Sequence, residues 1–388
     1  MTIKKVFPGG NTSKGFYSFY QYLAPLDAAK IYVVKGGPGV GKSSMMKAVG
    51  QAVAEKGVLV EFHCCSSDNN SIDGIYIPTI KVAMIDGTAP HIVDPKNPGA
   101  VDTIVHLGDY WDEEKMKLNK AEIIATNKSI GQHFKRAYHY LAAAQIYRDA
   151  EECYYVDEGA LDIAGLNALA KTIIKEALGE AGNGAGAGAR RGAGTKAGAA
   201  SGNTARNLIA SPANVRHLFA SAISPNGLVN HLDTIFGEVE KKILLNGDPG
   251  TGKGTVMKKL VDEAASRNIS MEVYHCALNP EVIEHVLFPD LKVGVLTSTK
   301  PHFTRSATKD IVFDTAGYVD ASRVIPYHED MALARDNYNA AIEHGVSFIR
   351  RAKILHDKLE EYYVPNMDFK AVNKRKEEIM KEILGMLE

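Results

Sequence analysis

The sequence predicts an α/β protein made of two tandem domains, each a parallel sheet flanked by helices and each closed by a C-terminal helical extension. Three observations carry that prediction. A strand, glycine loop and helix occur together twice, as "VVKGGPGVGKSSMM" from Val33 and "LLNGDPGTGKGTVM" from Leu244. The likeness continues past the loops at a spacing of 211 residues, so that "IPTIKVAMIDGTAPH" from Ile77 returns as "FPDLKVGVLTSTKPH" from Phe288. Within each copy, strand-like and helix-forming runs alternate, which is the pattern of a parallel sheet with helices on its faces.

In the first copy a β-branched run, Ile31 to Val34, enters the glycine loop, and a helix-forming stretch from Ser43 to Lys56 leaves it. Strand-like "VLVEFHC", "KVAMI" and "TIVHL" follow, and Glu113 to Leu178 has helical periodicity. The second copy runs through Ile243 to Leu245, the helix-forming Thr255 to Arg267, "SMEVYHC", "KVGVL" and "DIVF", then a helical region from Glu329 to Leu387. "FHC" from Phe62 is matched to "YHC" from Tyr274, "EECYYV" from Glu151 to "EEYYV" from Glu360, and "IIKEALG" from Ile173 to "IMKEILG" from Ile379. A period this long makes each copy a domain rather than a solenoid repeat, with boundaries at residues 1–178 and 207–388. The stretch between them, residues 179–206, is rich in Gly, Ala and Ser, has nothing to pack and reads as a flexible linker.

A chain of 388 residues can bury two cores of ordinary size. Its 45 Lys+Arg against 46 Asp+Glu leave a net charge of −1, which gives no cationic field to attract nucleic acid or anionic lipid. No apolar run approaches the roughly 18 residues a membrane span needs, and no apolar segment follows the N-terminal lysines. Cys64, Cys65, Cys153 and Cys276 lack CxxC spacing and read as reduced thiols. The expectation is a soluble cytoplasmic protein.

The segment "GGPGVGKS" fits G-x-x-x-x-G-K-[ST]. After a buried strand the backbone must turn tightly so that successive N–H groups point inward, and glycine tolerates the φ values this requires. Gly36, Gly37, Gly39 and Gly41, with Ser43, Ser44 and the start of the following helix, thus form a cradle for a polyphosphate. Lys42 is placed to reach the β- and γ-phosphates and Ser43 to ligate Mg²⁺. In the second copy Gly247, Gly250, Gly252 and Lys253 preserve the cradle, but Gly254 replaces the serine and the hydroxyl moves to Thr255.

Both halves resemble the P-loop NTPase superfamily. The tandem arrangement with "GTAPH" is similar to a bacterial family of duplicated P-loop proteins described as ATPases or nucleotide kinases. The GKGT form of the second loop resembles adenylate-kinase-like enzymes. These resemblances imply binding of ATP and Mg²⁺, with a nucleoside triphosphate as ligand and an acceptor or protein partner left unidentified.

Such a site needs a carboxylate at the end of a neighbouring strand. "KVAMID" supplies Asp86, for metal or water, or simply as the first residue of an Asp-Gly turn; the aligned residue in the second copy is Thr297. Asp109 and Asp314 follow a later strand in the two copies. "DTAG" at Asp314 resembles a GTPase switch, but the chain has no NKxD guanine reader, so ATP is preferred to GTP. Thr88, Pro90 and His91 recur as Thr299, Pro301 and His302 just beyond a strand end; His91 is a candidate for phosphate contact or proton transfer, against an ordinary loop histidine. His63-Cys64 and His275-Cys276 cannot chelate as strand neighbours and read as core. Asp68 and Asp73, in "SSDNNSIDG", stand where a kinase acceptor or base is found, or in a plain polar loop. Three functions fit: an Mg-dependent ATPase whose two sites have diverged, a nucleotide or small-molecule kinase, or a nucleotide-gated binding module.

Overall fold

A computed structural model of the chain describes residues 2–88, 92–180, 215–299 and 309–388. The first half contains β1 (Ile3–Val6), β2 (Gly9–Thr12), β3 (Gly15–Ser18), β4 (Lys30–Lys35), α1 (Lys42–Glu55), β5 (Val60–Cys64), β6 (Ile72–Ile77), β7 (Val82–Asp86) and β8 (Asp102–His106), then α2 (Glu113–Leu118), α3 (Lys120–Asp157) and α4 (Ile163–Leu178). The second half repeats this with β9 (Val215–Phe219), β10 (Ser221–Ser224), β11 (Gly227–Asn230), α5 (Leu232–Phe236), β12 (Lys241–Asn246), α6 (Lys253–Ser266), β13 (Met271–His275), β14 (Ile283–Phe288), β15 (Val293–Ser298) and β16 (Ile311–Asp314). After these come α7 (Ala321–Val324), α8 (His328–Tyr363) and α9 (Phe369–Gly385). Two six-stranded, mostly parallel sheets result, in the orders β1-β5-β6-β7-β4-β8 and β9-β13-β14-β15-β12-β16. Most of the linker read from the sequence, along with His91, Pro90, Pro301 and His302, lies outside the described residues.

Each sheet departs from the all-parallel expectation at one strand. β6 runs antiparallel to β5 and β7, and β14 to β13 and β15. The cause is local: Pro78–Lys81 leaves room only for a tight turn between β6 and β7, which can join antiparallel but not parallel neighbours. Lys81 and its counterpart Lys292 close these turns at φ 54 and 53.

The sheet register also corrects the match between "FHC" and "YHC". Lys4 pairs with Glu61 as Arg216 pairs with Glu272, so His63 is equivalent to Tyr274 and Cys65 to Cys276. His63 and the Tyr274 hydroxyl therefore occupy corresponding places, each turned toward the glutamate two residues earlier.

The last helix of each extension packs into the core of the other half. Val372, Ile379 and Ile383 of α9 are buried with Tyr32, Val34 and Met46 of the first half. Leu166, Leu169 and Ile173 of α4 are buried with Ile243, Leu245 and Met257 of the second. Reciprocal backbone hydrogen bonds hold the entry to each exchanged helix. Asp112 N donates to Asn366 O and Asp368 N to Tyr110 O, while Asp162 N donates to Tyr318 O and Asp320 N to Ala160 O. Asp162 and Asp368 then cap α4 and α9 through their side chains. The crossing is made by α3 and α8, of 38 and 36 residues and about 55 Å long. They pack along each other through Ala137, Leu141, Ala144, Ala341 and Ile349, and Gly345 admits Leu141 where a Cβ would lie 2.8 Å from its Cδ2.

Where the two sheets meet, Phe7 and Phe219 exchange backbone hydrogen bonds of 2.9 Å. Beside them Lys4, Glu61, Arg216 and Glu272 form a largely buried quartet. Lys4 Nζ lies 2.6 Å from Glu272 and 3.3 Å from Glu61, and Arg216 is 2.9 and 3.0 Å from Glu61 and Glu272. Burial alone would raise the Glu61 pKa, yet Arg216 and Lys4 hold it well below the usual carboxylate range. No helix among the described residues is long and apolar enough to cross a membrane.

The exchange makes a testable demand. Ile379→Ala lies in the second half of the chain but empties a wholly buried position in the first core. It should cost about 3 kcal/mol and speed amide exchange first in residues 30–55. Faster exchange confined to residues 241–266 would contradict the arrangement.

Candidate functional site

The first glycine loop runs from the C-terminal end of β4 to the first residue of α1. Gly39 and Gly41 sit at φ 66 and 95, left-handed values that disfavour any side chain, and Gly41 caps α1 without a side-chain bond, so the helix amides face the loop. Lys42 Nζ donates to Gly36 O and Gly37 O at 2.9 and 2.7 Å and stands 3.7 Å from Asp86 Oδ2. Pairing of Val34 with Asp86 brings that carboxylate to the same edge of the sheet. Thr88 latches the two strand ends, its Oγ1 donating to Gly36 O at 3.0 Å while its backbone N donates to Asp86 Oδ1 at 2.9 Å. Burial pushes Asp86 up, and Lys42 opposes the shift.

Ser43 Oγ accepts a 3.0 Å hydrogen bond from Ile72 N, tying the start of α1 to the start of β6. The next residue, Asp73, is almost fully buried, and burial raises its pKa to about 6 against hydrogen bonds from Tyr20 and Cys65 and the charge of Lys42. The chain thus brings together Gly36, Gly37, Gly39, Gly41, Lys42, Ser43, Asp86 and Asp73. Ser44 points to solvent. Asp109 is well exposed and pairs with His106 at 2.7 Å, and Asp314 caps a short helix by accepting from Ala316 N.

The second loop repeats the frame with other groups. Lys253 Nζ donates to Gly247 O and Asp248 O at 2.7 and 2.5 Å, and Thr299 Oγ1 donates to Gly247 O at 2.8 Å as Thr88 does to Gly36. The recurring threonine is therefore a latch between strand and loop. Gly250 and Gly252 keep left-handed values of φ 78 and 94. Thr297 is nearly buried at the position of Asp86, whereas Gly254 and Thr255 are exposed on α6. Glu284 occupies the place of Asp73, and its charge reaches both Lys253 and Cys276. Burial lowers Lys253 to about 8, opposed by Glu152, Asp248 and Glu284.

Helix ends from the other half pack on both loops. A Cβ on Gly37 would lie 2.5 Å from Tyr363 Cε1, and one on Gly39 2.8 Å from Val364 Cγ2 and 3.1 Å from Glu360 Cβ. At the second loop, a Cβ on Gly250 would lie 2.6 Å from Tyr155 Cδ2 and 3.1 Å from Glu152 Cα, and one on Gly252 2.6 Å from Leu166 Cδ1. Gly39, Gly250 and Gly252 are needed twice over, for their φ and for the close approach of a helix from the other half, and Gly37 for the close approach alone. Sequence reasoning registered "EECYYV" and "EEYYV" only as part of the duplication. The repeat of two acids and a tyrosine pair was the signal that these helix ends do the same work twice.

In comparisons with known proteins, no protein family, no curated protein and no solved structure matches this chain.

The buried acid beside the first loop gives a pH test. Asp73 takes up its proton at about 6 when folded and at 3.8 ordinarily, so the folded state holds the proton more tightly. Its contribution to stability is full below about pH 4 and is lost as the pH rises through 6. Asp73→Asn should therefore gain on wild type by roughly 3 kcal/mol in denaturant unfolding between pH 4 and pH 7. A difference independent of pH would rule out the assignment.

Proposed function

We propose that this chain is an ATP-binding protein of the P-loop NTPase class, resembling the duplicated bacterial ATPase and nucleotide-kinase-like family, and that its first loop hydrolyses Mg·ATP. The observation that carries this reading is the convergence of Lys42 and Asp86, 3.7 Å apart, on a loop whose left-handed glycines turn backbone amides and a helix N-terminus inward. Polyphosphate suits that cradle through its charge and its many acceptor oxygens.

The residues at the first loop fit magnesium. Ser43 Oγ retains acceptor capacity beyond the bond from Ile72, and Asp86 Oδ2 is turned toward Lys42 while Oδ1 is held by Thr88. Ser43 and Asp86 would hold the ion, which when bound would neutralise charge on the phosphate oxygens. Lys42 then stabilises charge developing on the transferred phosphoryl group, and Asp86 orients the attacking water. The second loop, with Gly254 for the serine and Thr297 for the acid, fits nucleotide binding with little metal-assisted turnover. ATP is preferred to GTP on the missing guanine reader.

Transfer to an acceptor other than water is a second reading, favoured by one observation. Asp73, raised to about 6 beside Ser43, is a carboxyl suited to accept a hydroxyl proton near neutral pH.

Phosphate release from Mg·ATP by wild type, Lys42→Ala and Lys253→Ala tests the reading. Turnover should fall at least a hundredfold in the Lys42 variant and survive in the Lys253 variant. Undiminished release by Lys42→Ala would overturn the assignment of the first loop. Binding of Mg·ATP by wild type with negligible release would instead point to an acceptor or to a nucleotide-gated module.

A further inference from the structure

We propose that each nucleotide loop is completed in trans: Glu152 and Arg148, from the first half, set phosphate affinity at the second loop, and Glu360, from the second half, sets it at the first. This rests on the reading that both loops bind nucleotide.

Arg148, Glu152 and Tyr155 are spaced four and three residues apart on α3 and so share one face. His356, Glu360 and Tyr363 have the same spacing on α8. Tyr155 and the backbone of Glu152 pack on Gly250, and Tyr363 and Glu360 pack on Gly37 and Gly39, so both faces are turned to a loop of the other half. The charges follow the packing. Lys253 and Glu152 shift one another, and Arg148 acts on both.

A carboxylate this near the phosphate-facing lysine opposes an incoming anion, and a guanidinium beside it attracts one. Arg148 is held for that task. One of its nitrogens donates to Glu151 Oε2 at 2.7 Å, and its guanidinium carbon lies 3.9 Å from the centre of the Tyr338 ring. Glu151 is also held by Arg335 at 2.7 Å, so Arg148 is not its sole counter-charge. The remaining guanidinium donors are suited to a phosphate oxygen.

The two lids are not alike. His356 stands at the position of Arg148, and burial keeps its pKa below the ordinary histidine value. The second loop, which lacks a strand-end acid at Thr297, thus receives a permanent trans cation, while the first relies on its own Asp86.

Calorimetric titration with Mg·ATP at pH 7, where Lys253 keeps its charge, tests this. It is performed on the full chain carrying Lys42→Ala, so that the second loop is read, or Lys253→Ala, so that the first is read. Glu152→Gln, which preserves shape, should tighten binding at the second loop roughly tenfold and leave the first unchanged; Glu360→Gln should do the reverse. Arg148→Ala should weaken the second loop by a similar factor. If Glu152→Gln alters only the first loop, or neither substitution alters any affinity while Mg·ATP still binds, trans completion is overturned and the nucleotide reading stands. If wild type binds no Mg·ATP, both fall.

Discussion

The exchange of terminal helices is the constraint on which the rest of this architecture depends. Each sheet has an apolar face that must be covered, and the helix that follows its own glycine loop shares that cover with a terminal helix from the other copy. To deliver it, the chain must cross the whole molecule twice, which is why α3 and α8 are about three times the usual helix length. Crossing in opposite directions makes them antiparallel neighbours, and their mutual packing then supplies a core of its own through Leu141 and Ile349. The arrival of each helix end against a glycine loop follows from the same geometry. Gly39 can admit Val364 only because it has no side chain, so the loop's composition serves the crossover as well as its own turn.

The charged quartet does a different job from the apolar cores. Burying four charges is costly, and a well-packed apolar replacement often matches such a group in stability. What Lys4, Glu61, Arg216 and Glu272 provide is alignment. Lys4 and Arg216 each reach a glutamate on the neighbouring strand and one in the other half, so a slip of one sheet against the other would strand a buried charge. Phe7 and Phe219 fix the same edge by backbone pairing. Apolar burial thus drives the association, and charge pairing selects its register.

Much of this was legible in the sequence because the motifs are local. The strands around Ile31 to Val34 and Ile243 to Leu245, the two glycine loops and the helices after them all appear where residue pattern placed them. β6 escaped notice because "SSDNNSIDG" opens as a polar loop, and burial of Asp73 against Tyr20 and Cys65 is a tertiary fact. The helix exchange was hidden for a stronger reason. An amphipathic helix shows that it has an apolar face and does not show which sheet covers it, and with two similar sheets in one chain the pattern of α4 suits either. The same ambiguity misaligned His63 with His275, since a one-residue shift preserves a likeness of letters while turning the side chain to the opposite face.

Duplication followed by exchange bears on why the two loops differ. If each half had closed on itself, its loop and lid would have diverged together and one site could have decayed without consequence to the other. Here, loss of the second half's fold would remove α9 from the first core and Tyr363 from the first loop. Neither half is dispensable even where only one is a strong candidate for catalysis. Around the loops the copies have diverged at Asp86 against Thr297, Ser43 against Gly254, Gly37 against Asp248 and Arg148 against His356. Gly36, Gly39 and Gly41 with their counterparts Gly247, Gly250 and Gly252, the lysines, the latching threonines and the tyrosines on the helix ends are the same in both copies, because each is tied to a partner across the molecule or to the turn of the loop itself.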